Sequence, residues 1–259
     1  MSDTTAGQIK PPLGVGALVS DSFSIFFGKF FKVFLIAYGP TFIGLLISGA
    51  LMGFGTITGT ATPDLDGSIS FVAIILTILV QLVVYAVTTA LLVQLAYDAK
   101  LGRHIRLGKY VGPAFAAVVP IILLGIVAAI LFMIGFAIFV VPGLWIYAVF
   151  CVMVPAVVIE RAGFSGLGRS ASLTKEYRWP IVGAICLLII IAIVINVAAS
   201  FLVDIISSIF GSVALDIILT AAVSTISASI GSILIALIYA RLREIKEGVS
   251  VDQIAAVFD

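Results

Sequence analysis

Six apolar stretches, each long enough to cross a lipid bilayer, constrain this chain more than any other feature. They run over about 33–54, 70–97, 114–139, 143–159, 181–203 and 217–240. A crossing helix needs about 20 mainly apolar residues, because without water every backbone N–H and C=O must be paired within the segment. The stretches are apolar all round rather than along one stripe, and a bilayer accepts that where an aqueous surface does not. Composition agrees: 62% of the 259 residues are apolar and 10% charged, against roughly half and about a quarter in soluble domains. Mean hydropathy is +1.31. The expected fold is an all-α polytopic membrane bundle in a single domain over 1–259, with a tail at 1–14, six spans with interfacial helices within 15–240, and a C-terminal tail over 241–259.

Turn residues separate the stretches: Gly53, Gly55, Gly59 and Pro63 after the first, Gly102 to Gly112 after the second, Val141-Pro142-Gly143 between the third and fourth, and Gly211 at the last. If Pro142 only kinked the chain, 114–159 would be one helix about 69 Å long, over twice the ~30 Å hydrocarbon core. A tight hairpin at 141–143 is therefore expected. Pro40, Pro120 and Pro155 fall within spans one, three and four, where each removes an N–H and can bend its helix. Aligned bends would open a vestibule; proline is also common in membrane helices without one.

All fourteen Lys and Arg fall on one side of the membrane if there are six spans. Lys10, Lys29 and Lys32 precede span one; Lys100, Arg103, Arg106 and Lys109 join spans two and three; Arg161, Arg169, Lys175 and Arg178 join four and five; Arg241, Arg243 and Lys246 follow six. The opposite loops carry Asp64 and Asp66, with Asp204 and Asp216 at span ends. A wrong span count would scatter these charges, so the pattern tests count and orientation together, and it predicts both termini in the cytoplasm. The polar start MSDTTAGQIKPPLG leads into no short apolar core with a cleavage site, so no removable signal peptide is expected. With a net charge of +1, no nucleic-acid partner is expected.

The basic side is also the amphipathic side. Phe23, Phe26, Phe27, Phe30, Phe31 and Phe34 recur at helical spacing while Asp21, Lys29 and Lys32 lie off that face. This describes either a helix lying in the headgroup plane or an inward extension of span one packed on its neighbours. FGKFFKVF at 27–34, LGKYVGPAF at 107–115 and LTKEYRWPIVG at 173–183 suggest three consecutive hairpins, each with a cytoplasmic lead-in. Phe164, Leu167 and Ala171 share a helical face, suggesting a short helix on the membrane surface. Ser250-Val-Asp-Gln253 has the capping-box pattern that starts a last helix bearing Ile254, Val257 and Phe258.

Chemistry-bearing groups are few. Cys151 and Cys186 sit in apolar runs, and His104 lies in a basic loop without metal-ligand spacing, so neither disulfide, metal nor other cofactor is expected. No charged residue lies near a span centre, which speaks against an ion-coupled pump. No nucleophile/base or paired-carboxylate arrangement occurs at membrane depth, so an intramembrane enzyme ranks last. The intramembrane polar residues Gln81, Gln94 and Asn196 suit interhelical hydrogen bonds. Ser224, Ala228, Ser232 and Ala236 repeat every four residues as a thin ridge along which another helix can pack, and Gly49 with Gly53 offers a second small pair, for the bundle or for a homo-oligomer. In 160–180, Arg169, Lys175 and Arg178, beside Trp179, suit a clamp on a lipid phosphate; alternatively Arg169 turns back to pair with Glu160.

The run VPGLWIYAVFCVMVPAVVIERAGFSGLGRSASLTKEYRWPIVG, 141–183, resembles the central signature of the glycerophosphoryl diester phosphodiesterase membrane-domain family. The matching residues are Pro142, Gly143, Pro155, Glu160, Arg169, Ser170, Leu173, Thr174 and Trp179, and the closing YARLREIKEG is similar to that family's usual end. The resemblance implies a bacterial inner-membrane protein. It does not extend to the catalytic phosphodiesterase barrel, which would need roughly 250 further residues and a metal-holding carboxylate/His cluster. Two functions stand against each other: a non-enzymatic module that organises membrane lipids, anionic ones among them, or a membrane protein partner through its basic face, and a small-solute or lipid transporter with a cavity between Pro-bent helices. A polar cavity reaching mid-membrane favours the second; a dry, tight core removes it.

Overall fold

The computed structural model describes residues 12–57 and 68–248. They form an all-helical bundle: α1 (Val15–Gly28), α2 (Phe30–Met52), α3 (Phe54–Ile57), α4 (Ser68–Lys100), α5 (Leu107–Ile138), α6 (Val140–Phe150), α7 (Met153–Ile159), a 3-10 turn over Gly163–Ser165, α8 (Gly166–Thr174), α9 (Arg178–Phe210) and α10 (Val213–Glu247). Six segments are long and apolar enough to span a membrane: α2, α4 from Phe71, α5, α6 with α7, α9, and α10 from Ala214. The segments at 59–66 and 250–258, including Asp64, Asp66 and the capping box, lie outside the described residues, as does Lys10.

Sequential spans pack as neighbours, α2 on α4, α5 on α6 and α9 on α10, while α4 also meets α5, α7 and α10, and α10 meets α1 and α2. The dense core lies toward the basic end, in Ala86–Tyr97 of α4, Met153–Val158 of α7 and Ile233–Leu242 of α10. Outward faces are apolar too: Ile138 is 74% and Val194 63% exposed. Acyl chains can cover such a surface, whereas water would penalise it by about 25 cal/mol per Å².

Several local expectations need correction. The chain turns at Phe139, whose backbone is extended (φ −169, ψ 156), and Pro142 sits within the first turn of α6, where a missing N–H breaks no helical bond. Gly143 matters there for proximity: a Cβ on it would lie 2.9 Å from the Phe136 Cα. Span four is two helices. Cys151 and Val152 interrupt it, Val152 with φ −93 and ψ 15; Pro155 follows in the first turn of α7 and cannot donate to the carbonyl of residue 151. Pro40 and Pro120 lie inside unbroken helices.

The phenylalanine stripe divides at Lys29, whose φ −123 and ψ 25 separate α1 from α2. Phe26 is core, at 2% exposure, and meets Phe30 edge-on at 5.5 Å, while Phe31 is 85% exposed. The inner part of the stripe packs on its neighbours, while its outer part stays exposed. Asp21 pins α1 to the end of α4 through Lys100 at 2.8 Å. Lead-in helices precede α2 and α9, as α1 and α8, but α5 starts directly at Leu107, so the threefold repeat lacks its middle lead-in. In α8, Gly166, Ser170, Leu173 and Thr174 form the buried face against α6 and α7, which leaves Phe164, just ahead of it in the 3-10 turn, exposed on the other side.

Candidate functional site

That buried face follows from the break in span four. A helix end leaves carbonyls without intrahelical partners, and at the end of α6 the Val149 carbonyl accepts from the Ser170 hydroxyl at 2.8 Å and the Thr174 hydroxyl at 3.2 Å. Gly166 lets α8 approach; a Cβ there would fall 2.5 Å from Val157 Cγ2. With α8 held, Arg169 meets Glu160 twice, Nε to Oε2 at 2.7 Å and Nη2 to Oε1 at 2.8 Å. Arg169 also pairs with Glu247. Tyr239 donates to Glu160 Oε1 at 2.6 Å, and Arg243 reaches Glu247 at 2.8 Å, Glu160 at 3.5 Å and the Tyr97 hydroxyl at 3.3 Å. Two carboxylates and two guanidiniums thus close a lock joining α4, α7, α8 and α10. Burial alone would raise the Glu160 pKa, but hydrogen bonds from Arg169 and Tyr239, with the charges of Arg169 and Arg243, hold it below the ordinary 4.5. Chiefly through its hydrogen bond to Glu160, Arg169 is held more firmly protonated than usual.

The other members of the expected clamp have separate surroundings. Arg178 lies over the Trp145 ring at 4.5 Å and reaches the Ala171 carbonyl at 3.5 Å. Lys175 and Trp179 are exposed. The structure thus places Arg169 in the pairing with Glu160. Tyr97, Tyr239, Arg243 and Glu247 were not singled out from sequence; the i,i+4 spacing of Arg243 and Glu247 was the available signal.

Within the spans, Gln81 donates to the Ser48 hydroxyl at 3.0 Å, Gln94 to the Tyr110 carbonyl at 3.1 Å, and Asn196 to the Ser227 hydroxyl at 2.9 Å. Each bond joins two spans. Gly49 serves the fold-back of α3, since a Cβ on it would sit 2.3 Å from the Phe54 ring, and Gly53 takes φ +89 at the end of α2. The ridge on α10 divides: Ala236 is fully buried, whereas Ser224 and Ala228 are exposed to a cavity that Ser232 also lines. Only the inner end of this ridge is a packing seam.

The cavity, of about 510 Å³, opens between α4, α6, α9 and α10. A second of about 390 Å³ between α4, α5 and α6 adjoins it, the two sharing Tyr85, Phe132, Tyr147, Cys151 and Val154. Their walls are largely apolar with hydrogen-bonding groups set among them, including Gln81, Thr89 and Ser224. Thr88 also lines the cavity, and its Oγ1 is buried and makes no hydrogen bond among the described residues. Such a chamber suits a mainly apolar molecule with a hydrogen-bonding group, and its volume is within the roughly 300–1,000 Å³ range of ligand pockets.

Among the described residues, no group of three or more His, Cys, Asp or Glu is arranged to hold a metal ion. No family model, curated protein or solved structure matches the chain.

Proposed function

We propose that this chain is a non-enzymatic, multi-pass protein of the bacterial inner membrane that takes a lipid, or a solute with similar amphipathic character, into the chamber within its bundle. The chamber itself carries this reading: about 510 Å³ between largely apolar walls, with Gln81, Thr89 and Ser224 set among them to meet a polar group of the guest. It favours the transport or carriage alternative over a scaffold that docks partners on its basic face. The most prominent arginines of that face, Arg169, Arg241 and Arg243, are engaged with carboxylates of the same chain. The likeness of 141–183 to the phosphodiesterase membrane-domain family fits a non-enzymatic role. Pro155, Glu160, Arg169, Ser170, Leu173 and Thr174 all belong to the break and the lock, a folding device rather than a reaction centre.

Ala228→Phe places a ring in the chamber from an exposed position. Native mass spectrometry of the detergent-released protein should show wild type carrying lipid-sized adducts and the variant carrying fewer per chain at unchanged thermal stability; equal adducts on both would refute the chamber. The one-ended placement of Lys and Arg supports cytoplasmic termini. Reporter fusions at positions 60 and 105 should then read outside and inside respectively, and the reverse would overturn the orientation.

A further inference from the structure

Arg161 stands apart from the arginines of the lock. Among the described residues it makes neither a hydrogen bond nor an ion pair, and it is exposed just beyond α7. Its φ is 55, the left-handed geometry that follows many helices and that glycine adopts without strain. A Cβ-bearing residue kept there at an energetic cost directs attention to its side chain.

Two depressions meet at that side chain. One, of about 400 Å³, is an apolar groove between α5 and α7, walled by Ala116, Ala117, Pro120 and Val157. It is open at Gly112, where an added Cβ would meet nothing within 4 Å. The other, of about 200 Å³, is polar, with Gln94, Arg103 and Tyr110 in its wall. Arg161, Pro113 and Val158 line both. Asp98, the acid of the polar pocket, is already engaged: Tyr110 donates to its Oδ2 at 2.8 Å, and Arg103 Nη1 lies 3.8 Å from its Oδ1.

We infer that this junction binds an anionic phospholipid, with the phosphate on the Arg161 guanidinium at the mouth of the polar pocket and an acyl chain along the α5–α7 groove. The chemistry is complementary at both ends. A guanidinium pairs with phosphate through two parallel hydrogen bonds, and a groove of small apolar side chains at a membrane-facing surface suits a hydrocarbon chain. The site shares no lining residue with the chamber, so either can fail without the other.

The test uses the full chain, equilibrated with mixed micelles of phosphatidylglycerol or phosphatidylcholine and read by native mass spectrometry. Wild type should retain phosphatidylglycerol in preference. Arg161→Gly relieves the backbone strain, so it should fold at least as stably while retaining phosphatidylglycerol about tenfold less, the loss of one charge-assisted contact. Ala116→Leu, which fills the groove, should reduce retention of the same lipid. Lys32→Gln, an equal loss of charge on an exposed side chain of α2, should change nothing. Millimolar inorganic phosphate should not displace the lipid; displacement would assign the site to free phosphate. Undiminished retention by Arg161→Gly, or an equal loss in Lys32→Gln, would overturn the proposal, as would a dimer that dissociates on Ala116→Leu, which would make a second copy the occupant.

Discussion

At Glu160, the residue that ends α7, one carboxylate ties that helix to two others, accepting from Arg169 of α8 and Tyr239 of α10. Its depressed pKa fixes the sign of a pH effect. The group is deprotonated and paired at neutral pH; stability from it is present above the unfolded value near 4.5 and is lost as pH falls below that and through the folded value. The melting temperature of the purified protein should therefore fall on acidification below about 4.5. Glu160→Gln should lower stability at pH 7 on the order of 2 kcal/mol, as breaking one side of a largely desolvated pair does, and should flatten that acid dependence. A variant that unfolds with the wild-type pH profile would remove Glu160 from the lock. Sequence allowed this pairing beside a phosphate clamp and had no means to choose. What decides is the additional claim on Arg169 by Glu247, 78 positions away.

Among the elements, α8 best shows how a break in one helix shapes the next. The interruption at Cys151–Val152 frees the Val149 carbonyl, and hydroxyls four residues apart on α8 take it. Ser170→Ala with Thr174→Val should leave that carbonyl unpaired and destabilise by about 1–3 kcal/mol, measured as a lowered melting temperature, while Ser172→Ala on the exposed side should not. Equal effects would mean the contacts are incidental. Six spans were legible because their apolar length is a one-dimensional property, and the helix hairpin near Pro142 because a longer helix could not fit the bilayer. What was not legible is the inner side of α8: Ser170 and Thr174 give no sign in sequence that their hydroxyls will be buried against a helix end. The α10 ridge misled: small residues permit close packing, and where no helix arrives they leave space.

Across the whole molecule, packing is uneven. Most of Ser229–Leu242 in α10 and nearly all of α7 are buried toward the basic end, where the lock ties four helices, whereas α9 meets α6, α10 and α1 and leaves the chamber between itself and α4. A tied end and an open middle are the arrangement expected of a bundle that holds a guest without unfolding. One measurement addresses this most directly: a photoactivatable fatty acid incorporated into the lipids of intact membranes, cross-linked, and mapped on the protein by peptide mass spectrometry. Adducts on the chamber walls, at 144–154 of α6 and α7 and 224–235 of α10, are predicted, and Ala228→Phe should abolish them. Adducts confined to outward positions such as Met133, Phe136 and Val194, with none on α10, would contradict a chamber that holds lipid.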